Sequence, residues 1–296
     1  MPPQVSGPLG PRRRIAAVLK QWRDKSGESL NEVADALLIS TSKLSRLENA
    51  EGKPRLRDVR DLIQHYGKER TSMATQLMRW VEAAEATGWW TDFDDEVLQD
   101  RGRLDIHLAY EADAAVERVY TLPFVPALLA TDDYAEAIYR EMERRPEDQI
   151  GPLMNIRHKR QEALKRRAGL DPLKLVAVTH ESTLRQFVGP PKILRDQLDE
   201  LLVRSREDNV TLHVFPFEAQ PVPSMTCMYA YFEYQDPSDL EQDLVRIETH
   251  AGFRTIDDPP RVAEYRKAHD TLINSSLGED ASRDLIRSIR DSLPLH

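Results

Sequence analysis

The chain has 296 residues, and a prior of about 150 residues per domain predicts two domains, each long enough to bury a core. Hydrophobic residues make up 40% and charged residues 31%, which indicates a globular protein rather than a disordered or fibrous one. The net charge of −9 gives no overall attraction to nucleic acid, and the single cysteine, Cys227, excludes an internal disulfide and a cysteine-based metal cluster.

The sequence also bears on location. Its longest apolar run, residues 122–130, is interrupted by two prolines and is much shorter than the roughly 18 residues that cross a bilayer. The basic start of the chain is not followed by the apolar segment of a secretory signal. We therefore expect a cytoplasmic, nucleoid-associated protein with no membrane partner.

The charge is unevenly distributed along the chain. Residues 1–70 carry a net charge of +5, and the remainder carries −14. A basic head on an acidic body is typical of a small DNA-binding domain joined to a domain that avoids DNA. The alternative is a chance asymmetry of two protein surfaces.

Apolar spacing predicts five short helices between residues 11 and 88, behind a flexible N-terminus at residues 1–10. The second helix begins at a capping box formed by Ser29 and Glu32, and Ser40 is the natural N-cap of the third, residues 41–49. The fourth follows Pro54, and the fifth covers about residues 71–86. These elements predict a compact all-α domain.

An aromatic and acidic segment follows, and we assign residues 89–103 as a linker. It begins at two neighbouring tryptophans, Trp89 and Trp90. Large aromatic side chains at such a junction favour packing between the two domains over holding a ligand.

Residues 104–296 combine helical patterns with short apolar, β-branched runs. Helices are predicted over residues 108–116, 132–145, 155–168, 260–275 and 279–293, and strands over 173–178, 210–216, 228–234 and 244–249. This mixture predicts an α+β domain with a small, mostly buried sheet. We expect this domain to sense a ligand or to bind a partner.

The pair of helices around residues 38–39 resembles the Xre-type helix-turn-helix of phage-repressor-like regulators, over about 60 residues with its flanking helices. The residues that match are Glu32-Val33-Ala34, Ile39-Ser40, Leu44-Ser45-Arg46-Leu47 and Glu48-Asn49. In this motif one short helix positions the next, whose N-terminal side chains enter the major groove of DNA.

The sequence departs from the Xre pattern at three places. Leu30 replaces a glutamine that holds a phosphate, and Leu38 replaces the turn glycine. The segment after Glu48 also differs from the usual ending. Because a leucine is strained at positive φ, we expect the backbone at Leu38 to turn differently from that of the family.

The resemblance assigns roles to residues of the third helix and its surroundings. The side chains placed toward base edges are Thr41, Ser42, Ser45 and Arg46. Those placed toward phosphates are Lys43, Lys53, Arg55, Arg12, Arg13 and Arg14. Arg46 is the best candidate for a two-pronged contact to guanine. For each residue the alternative is a solvated surface group.

Beyond residue 104 the chain resembles the domain of unknown function that follows such motifs in actinobacterial, antitoxin-like (WhiJ-like) regulators. The phrases that match are Leu128-Leu129, Tyr134-Ala135, Arg157, Arg160-Gln161, Glu181, Leu184-Arg185, Val188-Gly189, residues 209–217, Ile247-Glu248-Thr249, Tyr265, Leu272 and Ser282. The resemblance implies a transcriptional regulator that is commonly encoded beside a small partner protein.

Five charged residues of the second domain suggest a buried cluster: Arg157, Arg160, Glu181, Arg185 and Glu248. One interpretation is a ligand pocket or a partner-docking site. The other, which we favour, is an ion-pair network that fixes the fold, because arginine forks suit both roles.

No enzymatic signature survives inspection, and we predict no catalytic residues, no metal and no cofactor. The sequence from His180 begins like a zinc-protease motif but lacks the second histidine. Cys227 is expected to be a small buried hydrophobe, and His213 a core histidine with a satisfied hydrogen bond. No phosphate-binding glycine pattern is present.

The sequence therefore predicts a sequence-specific DNA-binding regulator whose second domain binds a ligand or a small partner protein encoded nearby. A homodimer on a two-fold double-stranded operator is expected, because one recognition helix reads only a few base pairs. The alternative is an antitoxin-like adaptor that acts mainly by binding a small neighbouring protein.

Overall fold

The computed structural model describes residues 9–85, 88–167, 170–234, 243–249 and 252–294. These residues form two compact units. The first comprises the described residues up to Asp92 together with Leu108–Asp113 and Tyr234, and the second comprises Phe93–His107, Ala114–Glu233 and the described residues from Asp243 onward. Residues 1–8 of the predicted flexible N-terminus lie outside the described residues, whereas residues 9 and 10 begin a helix.

The first unit contains the five predicted helices. They are α1 (Leu9–Ser26), α2 (Leu30–Ala36), α3 (Thr41–Glu48), α4 (Leu56–His65) and α5 (Ser72–Glu85). Each helix contributes apolar side chains to one core, among them Leu19, Val33, Leu44, Leu62 and Leu77. The predicted all-α fold of this part is therefore confirmed.

Three of these helices end in the same left-handed turn. The turn residues are Leu38 after α2, Ala50 after α3 and Gly67 after α4, with φ of 53°, 57° and 61°. In each turn the next amide donates a hydrogen bond back into the last helical turn, with N–O distances of 3.0, 2.9 and 3.0 Å. The expectation that the backbone turns differently at Leu38 is therefore wrong. The Leu38 side chain is 93% exposed, so only its Cβ is strained.

Replacing either non-glycine turn residue with glycine should stabilise the first unit. A left-handed conformation costs an L-residue roughly 1–2 kcal/mol, whereas glycine loses about 0.5–1 kcal/mol in backbone entropy. We expect Leu38→Gly and Ala50→Gly each to raise the free energy of unfolding by about 0.5–1 kcal/mol. Ala36→Gly, at the exposed end of α2, is the control and should lower the free energy of unfolding. Urea unfolding of the three variants measures this, and a decrease for all three would contradict it.

The predicted linker, residues 89–103, contains regular structure. A 3-10 turn spans Trp89–Asp92, and α6 covers Asp95–Asp113. This helix starts earlier than the predicted helix over residues 108–116 and ends before Val116. Trp90 is buried, and its ring lies edge-on to that of Trp89 at 5.7 Å. A role of the two rings in packing between domains stays a prediction.

The second unit contains a six-stranded sheet. Its strands are β1 (Val116–Thr121), β2 (Lys174–His180), β3 (Val210–Phe215), β4 (Tyr229–Glu233), β5 (Leu244–Thr249) and β6 (Gly252–Ile256). Their order is β3-β2-β1-β4-β5-β6. The three strands β3, β2 and β1 are parallel, and β4, β5 and β6 join antiparallel. The α+β prediction is confirmed, although the sheet is not small.

Seven helices occur in the described chain after the first five, of which α6 has been given. The others are α7 (Asp132–Ala137), α8 (Glu147–Glu162), α9 (Glu181–Arg185), α10 (Pro191–Arg204), α11 (Pro259–Asn274) and α12 (Glu279–Ser292). Helix α7 continues into a π-helical turn, Ile138–Met142. Within the described ranges no helix is long and apolar enough to cross a bilayer.

The register of the sheet separates two kinds of side chain. On one face Tyr120, Val178, Tyr229 and Val245 form an apolar core with residues of α11. The opposite face carries Glu117, Val119 and Thr121 of β1, because successive side chains of a strand point to opposite faces. The antiparallel partners of these residues place Ala230 and Arg246 on that face too. Two charged side chains thus lie on a buried sheet face.

Candidate nucleic-acid interface and a buried cavity

Helix α3 is held by local signals at its start. The hydroxyl of Ser40 accepts a hydrogen bond from the amide of Lys43 at 3.2 Å. At the start of α2, the amide of Ser29 donates to the Glu32 carboxylate at 2.7 Å, and the Ser29 hydroxyl accepts from the Glu32 amide at 3.3 Å. Both predicted caps are confirmed, and each satisfies a backbone amide at the start of its helix.

An ion pair fastens the buried side of α3 to α1. The Arg23 guanidinium Nε donates to both carboxylate oxygens of Glu48, at 2.9 and 3.0 Å. Glu48 is only 7% exposed, and burial raises the pKa of its carboxyl while Arg23 opposes that rise. Sequence reasoning gave Glu48 no role of its own. This pair, with Leu44 and Leu47 in the core, leaves the opposite side of α3 for a partner.

The predicted base-reading residues lie on that outer side. Ser42 and Arg46 are exposed, and among the described residues Arg46 has no hydrogen bond or ion pair. Ser45 is half-buried, and its hydroxyl accepts a hydrogen bond from the side-chain amide of Asn49 at 3.3 Å. The Thr41 hydroxyl donates to the side-chain oxygen of Asn31 at 2.9 Å, which joins the starts of α2 and α3. Sequence reasoning missed the exposed amide of Asn31.

Of the residues near α3 that were predicted to contact phosphates, one is held in an ion pair and two are exposed. Lys43 is engaged, since its ammonium group lies 2.7 Å from the carboxylate of Asp58 on α4. Lys53 and Arg55 are exposed on the connection between α3 and α4. Exposed cations beside a recognition helix are the groups that most readily meet phosphate oxygens.

Arg12, Arg13 and Arg14 are directed into the first unit. Arg12 donates to the carbonyl of Ala84 at 3.2 Å, and burial lowers the pKa of its guanidinium. The guanidinium carbon of Arg13 lies 5.0 Å from the ring centroid of Tyr234, and that of Arg14 lies 5.9 Å from the ring centroid of Trp80. Cation–π contacts of this kind are stabilising. A phosphate role for these three arginines stays a prediction, and their internal contacts compete with it.

The five charged residues that suggested one cluster in the second unit are divided. Glu181 accepts from its helical neighbour Arg185 at 2.8 Å and from the amide of Phe217 at 3.0 Å. That pair does not line the cavity described below, whereas Arg157, Arg160 and Glu248 do. A single five-residue cluster is therefore not formed.

A cavity of about 270 Å³ lies in the second unit between the sheet face and several helices. Glu117, Val119, Ala230 and Arg246 line it from the sheet. The helical side is lined by residues of α6, α7 and α8, which are Leu104, His107, Ala135, Arg157 and Arg160. Aromatic and aliphatic walls come from Phe124, Val125, Leu128, Ile138, Tyr139, Leu175 and Phe253.

His107 is a buried histidine that lines this cavity, and its protonation state follows from its contacts. Arg160 can only donate, so the contact of 3.1 Å between its guanidinium and Nε2 makes Nε2 the acceptor and places the ring proton on Nδ1. Burial, then the positive charges of Arg160 and Arg246, hold the pKa of His107 well below its usual value. The ring therefore stays neutral and packs edge-on against Phe232 at 5.4 Å.

The residues that suggested catalysis at first sight have structural contacts. His180 caps α9, since its Nδ1 accepts from the amide of Ser182 at 3.1 Å. Nδ1 of His213 lies 2.9 Å from the carbonyl of Leu277, as expected for a satisfied histidine. Cys227 carries a free thiol and is partly exposed rather than buried.

Comparison with protein families identifies both parts of the chain. Residues 14–76 match a family model described as a helix-turn-helix domain. Residues 104–288, more than half of the chain, match one described as a domain of unknown function, DUF5753. Neither the curated proteins nor the solved structures gave a match to the chain. The predicted order of a helix-turn-helix domain followed by a domain of unknown function is thus confirmed.

Proposed function

The chain belongs to the family of proteins with the domain of unknown function DUF5753, here behind a helix-turn-helix domain, and we propose that it is a sequence-specific DNA-binding transcriptional regulator. The observation that carries the proposal is α3. Its buried side is fastened by Leu44, Leu47 and the Glu48–Arg23 pair, while Ser42 and Arg46 are exposed on its other side. A helix held on one side by its core contacts, with polar side chains exposed on the other side, is what major-groove reading requires.

In this proposal Arg46 forks onto a guanine, while Ser42 and Ser45 contact base edges nearby. Thr41 has a second role, because its hydroxyl already bonds to Asn31. Lys53 and Arg55 meet phosphates on one side of the groove. Lys43 contributes less than these two, because Asp58 neutralises it.

The finer assignment is an Xre-type, antitoxin-like regulator of the actinobacterial kind, cytoplasmic and nucleoid-associated. Its motif reads a few base pairs, so we infer a homodimer on a two-fold operator with half-sites about one helical turn apart. The second unit then acts on DNA binding through a bound ligand or a small partner protein, and not as an enzyme.

A second candidate function is that of an adaptor whose main work is binding a small neighbouring protein. The observation in its favour is an apolar groove beside α7 and α10. Phe187 is 44% exposed and Met142 is 51% exposed in this groove, and the buried Val188 also lines it. Exposed apolar side chains grouped in a groove are typical of protein-binding surfaces.

Salt dependence of DNA binding by the full chain tests the proposal. Basic groups displace condensed counterions, so log Kd should rise linearly with log salt concentration for any duplex. The Lys53→Ala and Arg55→Ala variants should each lower that slope by about 0.9. Arg261→Ala removes an exposed arginine of α11 and is the control. Fluorescence anisotropy with a labelled duplex measures all four slopes, and equal slopes would contradict the assignment.

A further inference from the structure

The cavity of the second unit has mostly apolar walls. Val119, Leu128, Ile138 and Leu175 supply aliphatic walls, and Phe253 supplies an aromatic one. A pocket with apolar walls and a few polar groups is the usual form of a small-molecule site. Water alone suits such a cavity poorly, because each buried water needs several polar partners.

The charged groups of the cavity balance one another. Among the described residues that line it, three are glutamates and three are arginines, which are Glu117, Glu143, Glu248, Arg157, Arg160 and Arg246. His107 adds no charge, because its pKa is held well below its usual value. With equal numbers of the two signs, the cavity has no net charge that favours an ion of either sign.

The two most buried arginines of the cavity are already engaged by the protein. Arg157 and Arg246 are each only 3% exposed. Arg157 donates to the Ala130 carbonyl and to Asp132, and Arg246 donates to the hydroxyl of Thr255 at 3.3 Å. A charged ligand would therefore be buried without an excess of opposite charge, which costs free energy, whereas an uncharged ligand leaves these contacts intact.

Two polar atoms on residues that line the cavity have no hydrogen-bond partner in the described part of the chain. They are Nε of Arg157 and Oγ1 of Thr121, and both atoms are buried. Thr121 lies on the same face of β1 as Glu117 and Val119, which is the face that borders the cavity. An N–H and a hydroxyl can both donate to a carbonyl oxygen. A ligand with such an acceptor relieves the cost of burying these two groups unpaired.

We propose that this cavity binds a small uncharged molecule with an apolar body and a carbonyl group. The carbonyl oxygen accepts hydrogen bonds from Nε of Arg157 and from the hydroxyl of Thr121, and the body packs against the apolar walls. The volume of about 270 Å³ corresponds to roughly nine water volumes, which limits the ligand to about ten non-hydrogen atoms. A ketone of that size meets these conditions.

The inference rests on the proposed function only for its consequence on DNA, so binding is tested first without DNA. Acetophenone, benzoate and benzamidinium have nearly the same size and shape and differ in charge, and 2-heptanone is an aliphatic ketone. We expect both ketones to bind the full chain in calorimetry or ligand-observed NMR, and acetophenone to bind at least about tenfold more tightly than either ion. No binding of either ketone at millimolar concentration, or an ion that binds as tightly as acetophenone, overturns the proposal.

A first pair of variants shows whether acetophenone occupies this cavity. Val119→Phe fills the cavity from the sheet and should abolish binding. Val203→Phe adds the same ring at a side chain that is 62% exposed on α10, and it should leave binding unchanged. Unchanged binding of acetophenone in Val119→Phe overturns the assignment to this cavity.

A second pair of variants tests the hydrogen bond and stands as the test if Val119→Phe fails to fold. Thr121→Val removes the open hydroxyl and keeps the shape of the side chain. It should weaken acetophenone about three- to tenfold but not isopropenylbenzene, which has the same shape and no acceptor. Thr183→Val is the matched control, because Thr183 is fully buried in α9, its Oγ1 also has no partner within the described ranges, and it does not line the cavity. Equal affinity for acetophenone in the two threonine variants overturns the assignment.

Binding to DNA separates this inference from the proposed function. If acetophenone binds and the protein fails to select a DNA sequence, the ligand site stands and the regulatory function fails. If the protein selects a DNA sequence and neither ketone binds, the regulatory function stands and the ligand site fails.

Discussion

Lowering the pH from 7 to 5 should destabilise the second unit by about 2 kcal/mol through His269 and further through His107, because both histidines are buried in it in their neutral form. His269 is fully buried, and its pKa is lowered to about 3 by burial, with the charges of Arg118 and His213 adding to the effect. His107 is held well below its usual value in the same way. Unfolding exposes both rings, which then take up protons below their ordinary pKa of about 6.5.

The sign follows from these lowered values. Below pH 6.5 the unfolded state binds more protons than the folded state, so lowering the pH reduces the free energy of unfolding, for His269 by about 1.4 kcal/mol per pH unit. The loss continues until the folded state is protonated, near pH 3 for His269. In His269→Leu the contribution of His269 is absent, so the loss between pH 7 and 5 should be smaller than in the wild type by about 2 kcal/mol.

Hydrogen exchange of peptides from β1 and β4 measures this loss in the second unit. All four tryptophans, Trp22, Trp80, Trp89 and Trp90, belong to the first unit, so their fluorescence in urea reports that unit separately. Stability of β1 and β4 that does not change between pH 7 and 5 would show that the two rings are not buried as neutral groups. If the stability of β1 and β4 depends equally on pH in the wild type and in His269→Leu, His269 is not buried as a neutral group.

Arg46→Ala should weaken binding to the operator by roughly 1–3 kcal/mol, or about 5- to 150-fold, and relax the preference at one base position. The Arg46 side chain is exposed and has no bond among the described residues, so the stability of the first unit should change by no more than about 0.5 kcal/mol. Binding to scrambled DNA should fall much less, because one positive charge among many is lost.

Lys53→Ala is the matched control for Arg46→Ala. It also removes one exposed positive charge of the first unit, but as a phosphate contact it should weaken operator and scrambled duplexes about equally. Competition binding of both variants at one fixed salt concentration gives the comparison. If Arg46→Ala weakens both duplexes alike, Arg46 is a phosphate contact and α3 lies differently in the groove.

The first unit was predictable because its signals are local. Ser29, Glu32 and Ser40 cap helices within three residues of themselves, and the apolar spacing of each helix lies within one short segment. The exception is Leu38, where the bonds of the helix end hold a left-handed turn that the leucine disfavours. The Glu48–Arg23 pair joins residues 25 positions apart, and no local pattern reveals it.

The second unit was less predictable because its contacts are distant in sequence. Four strands were found from their apolar runs, but β1 carries Glu117 and Arg118 and was partly assigned to a helix, and β6 and α10 were missed. The cavity brings together His107, Arg157 and Arg246, which no spacing connects. Burial of Glu117 and Arg246 depends on the register of β1, β4 and β5, which the sequence alone does not specify.

The measurement that tests the central claim most directly is selection of bound duplexes from a random pool by the full chain, repeated with a Ser42→Ala/Arg46→Ala variant. If α3 reads the major groove, the wild type should enrich one recurrent sequence, with two half-sites related by two-fold symmetry. The double variant should lose the preference at the positions that Ser42 and Arg46 contact, while keeping its salt-dependent binding to unselected DNA. Enrichment of no sequence by the wild type, or of the same sequence by both proteins, would contradict the account.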